Sequence, residues 1–294
     1  MGTAVVTGAR GIGYEVGRSL ARAGLSVIFG VRNSEFGERA ANTIRTEIAD
    51  ADVTAEVVDL ADLKSVAAFG ERIRARHDSL EVLVNNAGVV MTPRHETTAD
   101  GFELHFGTNH LGHFALGAAL LPLLQAADAP RVVVVGSLAH RWANIDFDDL
   151  QAERSYRRIR AYAQSKLANL LFMAELQRRS EVGGWGLIST GAHPGFARTE
   201  AIMRPDDSLA KRAFSNLASG LVPTAENAAR PIVYAATSPD VTPAGYYGPA
   251  GPLEIAGQVG PATLAARAQD PAVGARLWEV SEALTAVRFA PNVA

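Results

Sequence analysis

Short apolar, β-branched runs alternate along this chain with longer stretches in which apolar residues recur at three- and four-residue spacing. Thr3 to Thr7, Ser26 to Val31, Thr54 to Val58, Glu81 to Val84, Arg131 to Val135 and Leu187 to Thr190 read as strands. Between them, Gly13 to Ala23, Glu35 to Ile48, Leu63 to Arg76, Phe102 to Gln125 and Ala161 to Arg179 read as helices. A strand covered on both faces loses its inside–outside alternation, as Arg131-Val132-Val133-Val134-Val135 does. The pattern therefore predicts an α/β fold, a doubly wound parallel sheet with helices on both faces. The Gly- and Pro-rich segment from Pro239 to Pro261 is expected to hold a last short strand near Gly245-Tyr246-Tyr247 and then a surface loop. A terminal helix is expected around Val273 to Leu284. No repeat or linker divides the chain, so one domain over 1–294 is the expectation.

With 294 residues, 48% hydrophobic and 20% charged, the chain can bury one large core. A net charge of −3 gives no broad basic field, which argues against nucleic acid or an anionic membrane and for a small-molecule partner. The absence of cysteine rules out disulfides, thiolate metal sites and cysteine nucleophiles. The first apolar run stops at Gly8 without a basic prelude, unlike a signal peptide. Later runs fall short of the ~18 residues of a membrane span, and the stretch from Leu116 to Leu124 contains Pro122. A cytoplasmic location is the expectation.

Candidate chemistry concentrates in Tyr162-Ala163-Gln164-Ser165-Lys166. On a helix this spacing leaves the phenol and the ammonium only ~40° apart around the axis, on one face. A free phenol titrates near ~10, and a neighbouring cation favours the phenolate, which would make Tyr162 a general acid and base. Alternatively the two are an ordinary exposed helical pair. Directly after the first strand come Thr7-Gly8-Ala9-Arg10-Gly11-Ile12-Gly13, then a helix. Glycines let a backbone approach a pyrophosphate whose charge the helix N-terminus favours. An acidic residue for an adenosine ribose would fall ~20 residues beyond the glycines. Val31 stands there instead, followed by Arg32 and Asn33. Arg10 and Arg32 could grip a 2′-phosphate, favouring NADP(H), or be solvated surface charges.

The glycine loop, Asn85-Asn86-Ala87-Gly88, Asn109, Ser137 and the Tyr162/Lys166 pair, in this order, resemble a short-chain dehydrogenase/reductase over nearly the whole chain. Asn109-His110-Leu111-Gly112-His113-Phe114, Ser137-Leu138-Ala139-His140 and Ser165-Lys166-Leu167-Ala168-Asn169 look most like its retinol-dehydrogenase-like branch. The resemblance implies a Rossmann sheet of about seven parallel strands and an NADP(H)-dependent oxidoreductase acting on a carbonyl or alcohol. It implies that Tyr162 exchanges a proton with the substrate oxygen while hydride moves to or from the nicotinamide. Lys166 would hold the nicotinamide ribose and lower the tyrosine pKa, Ser137 would orient the carbonyl, and Asn109 would anchor a relay water. Read alone, Ser137 is sooner a turn or capping serine and Asn109 a buried satisfier of a helix kink; the resemblance reverses that for Ser137. Asp59 and Leu60 would meet adenine; Asn86, Ala87 and Gly88 its ribose and the crevice; Pro194, Gly195 and Thr199 the nicotinamide side. The segment at about 196–222, with Phe214, Leu217 and Leu221, corresponds to a substrate lid, and a C-terminal extension follows from about 249. A homodimer or homotetramer is common in such proteins.

One departure is that the family's loop usually has three residues between its first two glycines, whereas here only Ala9 and Arg10 separate Gly8 from Gly11. The missing residue removes up to ~3.5 Å of contour, so weaker or shifted pyrophosphate binding is expected. That departure keeps open a non-catalytic NADP-binding sensor, and tyrosine–lysine chemistry also suits reduction of an activated carbon–carbon double bond. His110 and His113 have the i,i+3 spacing of metal ligands but no matching carboxylates, so no metal is expected. Asp146, Asp148 and Asp149 lack the glycine-centred spacing of a calcium loop. Arg154, Arg157, Arg158 and Arg160 read as a solvated helix start or a greeting for an anionic substrate.

Overall fold

The computed structural model describes residues 2–195 and 223–289. Strands β1 (Thr3–Thr7), β2 (Ser26–Val31), β3 (Val53–Val57), β4 (Val82–Asn85), β5 (Arg131–Val135), β6 (Ile188–Ala192), β7 (Tyr246–Pro249) and β8 (Val259–Pro261) form one sheet. Its order is β3-β2-β1-β4-β5-β6-β7-β8. The first seven run parallel, as expected; β8 is an addition, pairing antiparallel to β7 within the segment expected to be a surface loop.

Alternate residues of the valine run serve opposite sides. Val132 and Val134 pack with Phe69, Phe114 and Leu170, whereas Val133 and Val135 pack with Val16, Leu20 and Ile232. Helices α1 (Ile12–Arg22), α2 (Ser34–Glu47) and α6 (Ala225–Thr237) cover one face; α3 (Leu63–Arg76), α4 (Gly112–Gln125) and α5 (Arg158–Gly183) cover the other. The C-terminal helix α7 (Pro271–Thr285) adds Leu277 and Trp278 beside α5. Gly17 is required because a β-carbon there would overlap the Phe29 ring of β2.

Two elements differ in detail from the sequence reading. The predicted helix from Phe102 begins as a β-bridge between Thr97 and Glu103, and Phe106–Leu111 forms a π-helical turn before α4. Helix α5 starts at Arg158, ahead of the predicted Ala161, and is closed after Gly183 by Gly184 in the left-handed conformation (φ 64°). Among the described residues no helix is long and apolar enough to cross a membrane.

Candidate active site

The chain leaves β1 for β2 and β3 on one side, then returns to β4 and β5 on the other. The strand order therefore reverses between β1 and β4, and a crevice opens at their carboxyl ends. Gly8 (φ +85°) and Gly11 (φ +49°) take conformations that disfavour side chains. The short loop closes through the Arg10 carbonyl, which accepts the Gly13 amide at 3.1 Å. A β-carbon on Gly13 would overlap the Gly8 carbonyl oxygen and lie 2.6 Å from Asn86 Nδ2. Ile12 opens α1 beside the crevice, and no side chain caps that helix, so its first amides stay open to a ligand, with Glu15 the acidic residue of its first turn.

Thr7 organises the opposite wall. Its Oγ1 accepts the amides of Asn86 and Ala87, both at 2.9 Å, and meets His113 Nε2 at 2.9 Å. His113 Nδ1–H donates to the Asn109 carbonyl at 2.9 Å, so Nε2 is an acceptor, and the Thr7 hydroxyl proton goes to it in preference to the more distant Val84 carbonyl at 3.3 Å. Asn86 Nδ2 donates to the Thr7 carbonyl at 2.9 Å, and a β-carbon on Gly88 would stand 2.9 Å from Asn109 Oδ1. Burial pushes His113 down to about 4 and His110 to about 3, so both rings are neutral. They serve separate partners: His110 Nε2 bonds Ser281 Oγ at 2.8 Å. No cluster of metal-binding side chains occurs among the described residues.

Ser137, Tyr162 and Lys166 converge at the end of β5. The Tyr162 phenol lies close enough to Ser137 for the serine side chain to favour its ionised form, and Lys166 Nζ donates to the Val135 carbonyl at 3.0 Å. Asn109 joins them through its side chain: Nδ2 donates to Ser165 Oγ at 3.0 Å, and Ser165 Oγ donates to the Tyr162 carbonyl at 2.8 Å. Asn109 Oδ1 also accepts the Val89 amide at 2.7 Å. The π-helical turn supplies this reach, because its extra residue turns Asn109 between the loop after β4 and the start of α5.

The expected acidification of Tyr162 by Lys166 is corrected here. Burial pushes the phenol above its usual value and the Ser137 side chain opposes that only in part. Burial also lowers Lys166 to about 8. Helical spacing fixed the angle between the two side chains but not their direction, and the ammonium points at a backbone carbonyl. A buried pair, Glu103 and His105, lies beneath the phenol. His105 Nε2 accepts the Thr92 amide at 3.2 Å and Nδ1–H donates to Glu103 at 2.7 Å, with the ring edge-on to Tyr162 at 6.1 Å.

On the β2 side, the Arg10 guanidinium sits over the Phe36 ring, 3.7 Å from its centroid, and Arg39 approaches the same ring at 5.5 Å. Asn33 caps α2 by accepting the Phe36 amide at 2.8 Å. Arg32 is exposed beside it. After β3, Asp59 Oδ1 accepts the Ala61 amide at 2.9 Å, while Leu60 is buried in the core. Gly195 takes φ +72° after Pro194. Thr199 and the proposed lid lie outside the described residues. The acidic and basic clusters resolve into local contacts: Asp146 pairs with Arg160 at 2.7 Å, and Asp149 accepts the amides of Glu153 and Arg154.

A short chain dehydrogenase family model matches residues 2–208. The chain belongs to the short-chain dehydrogenase family. This short-chain dehydrogenase is 40% identical to human retinol dehydrogenase 13 over 299 residues, covering 99% of this chain and 86% of that protein. It is 46% identical to human retinol dehydrogenase 12 over 199 residues, 67% of this chain and 62% of that relative's length. It thus falls in the retinol-dehydrogenase-like branch. A crystal structure of an uncharacterized protein from Mycobacterium paratuberculosis superposes with a TM-score of 0.82 at 38% identity, covering 99% and 96% of the two chains.

Sequence reasoning named the residues that converge here but missed those that hold them. Ser165 was visible only as the middle of a motif, and His113 only as one of two spaced histidines. Thr7 was named as a loop residue, with nothing to reveal that its hydroxyl fastens β4.

Proposed function

We infer that this oxidoreductase transfers hydride between NADP(H) and a carbonyl or alcohol carbon, with Tyr162 as the proton donor and acceptor. The observation that carries the reading is the meeting of Ser137, Tyr162 and Lys166 at the end of β5, beside the strand-order reversal. The residues present fit a dinucleotide. Gly11 faces open space, where a β-carbon would meet nothing within 4 Å, and the uncapped start of α1 offers amides to a pyrophosphate. A nicotinamide coenzyme bound there supplies or accepts the hydride.

The chain's own residues then divide the work. The Ser137 hydroxyl, beside the phenol, orients the substrate oxygen and shares its developing charge. Tyr162 passes the proton to that oxygen in reduction and receives it in oxidation. Lys166 holds the ribose hydroxyls, its ammonium turning from the Val135 carbonyl to reach them. Asn109, whose carbonyl accepts the His113 Nδ1 proton, anchors a relay water. Asp59 receives the adenine edge, and Asn86, Ala87 and Gly88 line the crevice next to the ribose.

Arg10, stacked on Phe36, and exposed Arg32 replace the carboxylate that a free 2′-hydroxyl prefers, which supports NADP(H) over NAD(H). Relatives called retinol dehydrogenases support an apolar alcohol or aldehyde as substrate. The test is NADPH oxidation with a panel of aldehydes and ketones, retinal included, against Tyr162→Phe. Wild type is expected to turn over, and the variant to bind NADPH normally but lose ~10²–10⁴ in kcat, the usual contribution of a positioned proton donor. Equal turnover by both would remove Tyr162 from the mechanism.

A further inference from the structure

His193 follows β6 directly and precedes the Pro194–Gly195 turn. The Gly195 amide donates to His193 Nδ1 at 3.2 Å, so Nδ1 is an acceptor and the ring proton resides on Nε2. That proton reaches Glu254 Oε2 at 3.0 Å. The same carboxylate oxygen accepts Arg141, in the turn after Ser137, and Oε1 accepts the Thr263 amide at 3.0 Å and hydroxyl at 2.7 Å.

The surroundings leave the imidazole little freedom. It packs on Gly248, where a β-carbon would overlap the ring, and on Tyr246 with centroids 5.3 Å apart. Gly195 is backed by the Ile255 carbonyl, which a β-carbon would also overlap. Leu253 and Glu254 both adopt φ +56°, a conformation that costs non-glycine residues free energy and that the contacts of Glu254 maintain. The other tautomer would face an N–H to the Gly195 N–H and a bare nitrogen to a carboxylate, two repulsive contacts in a buried place. Burial pushes His193 down to about 4, so the ring is neutral near pH 7.

We propose that Glu254 is a positioning residue: by fixing the ring proton of His193 on Nε2 it holds the Gly195 amide, and so sets the Pro194–Gly195 turn against the coenzyme. The coenzyme part of this rests on the functional reading above. A parallel tie secures the neighbouring loop, since His140 Nε2 accepts the Ala265 amide at 3.2 Å while Nδ1 donates to the Ser137 carbonyl at 2.6 Å. Residues 254–265 thus brace two active-site loops from behind.

Long-range proton–nitrogen correlation NMR on the coenzyme-free protein reads the tautomer directly, with the His193 ring assigned through its Cβ and backbone correlations. The Nε2–H form is expected; the Nδ1–H form overturns the proposal even if every variant fails to fold. In Glu254→Gln the side chain keeps one acceptor oxygen for four donors. Gly195 amide exchange is then expected to rise about tenfold while β1 and β5 amides hold, and the KM for NADPH to rise with kcat within about twofold. The Asn of His193→Asn can accept the Gly195 amide in a local turn but cannot reach Glu254. In that background, Glu254→Gln is expected to change Gly195 exchange no further. An unchanged Gly195 rate in Glu254→Gln, or equal effects in both backgrounds, overturns the proposal. If NADPH does not bind at all, the functional reading fails while tautomer and exchange still decide this one.

Discussion

Thr7→Val deletes one hydroxyl and almost nothing else, because the two side chains have the same shape. Thr7 is fully buried, and its oxygen accepts two amides and donates to His113. The Asn86 amide keeps a second acceptor, the Val84 carbonyl at 3.1 Å. The Ala87 amide and His113 Nε2 therefore lose their partners. Each buried group left unpaired costs roughly 1–3 kcal/mol, so a loss of about 3 kcal/mol is expected. For a chain of this size that corresponds to roughly 6–12 °C in thermal midpoint. Urea unfolding monitored by tryptophan fluorescence and by circular dichroism measures it, with Thr7→Ser as the control that keeps the hydroxyl. The serine variant should lose only its methyl contribution, about 1 kcal/mol. NADPH should also bind Thr7→Val more weakly, since the turn at Asn86 and Ala87 is no longer pinned to β1. If valine proves as stable as serine, the hydroxyl is not the fastener of this wall.

Lys166 titrates near 8 in the folded chain, below its ordinary value, so the buried charge penalises folding fully below pH ~8. As pH rises from there toward 10.5, the folded state has released the proton that the unfolded state still binds, and stability rises by roughly 1.4 kcal/mol per unit. Wild type should gain on Lys166→Met across that window in urea titrations; a pH-independent difference contradicts the burial argument. Arg10→Ala with Arg32→Ala should raise the KM for NADPH at least ~10-fold and leave NADH within about twofold, the loss expected of charge-assisted phosphate contacts. Equal losses for both coenzymes would show that the arginines do not read the 2′-phosphate. Inserting one glycine between Ala9 and Arg10 should tighten NADPH, followed by its fluorescence, if the short loop handicaps an enzyme. Weaker binding with loss of function would instead favour a sensor tuned to the short loop.

The sheet was legible because parallel strands buried on both faces declare themselves as unbroken apolar runs, and Val132 to Val135 is such a run. Strand β8 was not: Val259-Gly260-Pro261 has neither the length nor the β-branched content of a strand, and pairs only because β7 offers it an edge. The catalytic candidates were legible as motifs, but the direction of Lys166 was not, since spacing encodes an angle and burial decides the charge. The tie from His193 to Glu254 spans 61 residues and leaves no local pattern, so only the folded chain reveals it.

The π-helical turn at Phe106–Leu111 acts as a phase shift. Each residue advances a helix by about 100°, so removing one from that turn would rotate everything before it by that angle relative to α4. Glu103 and His105 would swing away from beneath Tyr162, and Asn109 could not face Val89 and Ser165 together. A single-residue deletion far from any reacting atom would thus misalign both supports of the phenol at once, which makes the spacing between Glu103 and Gly112 as restrictive as the identity of the residues it separates.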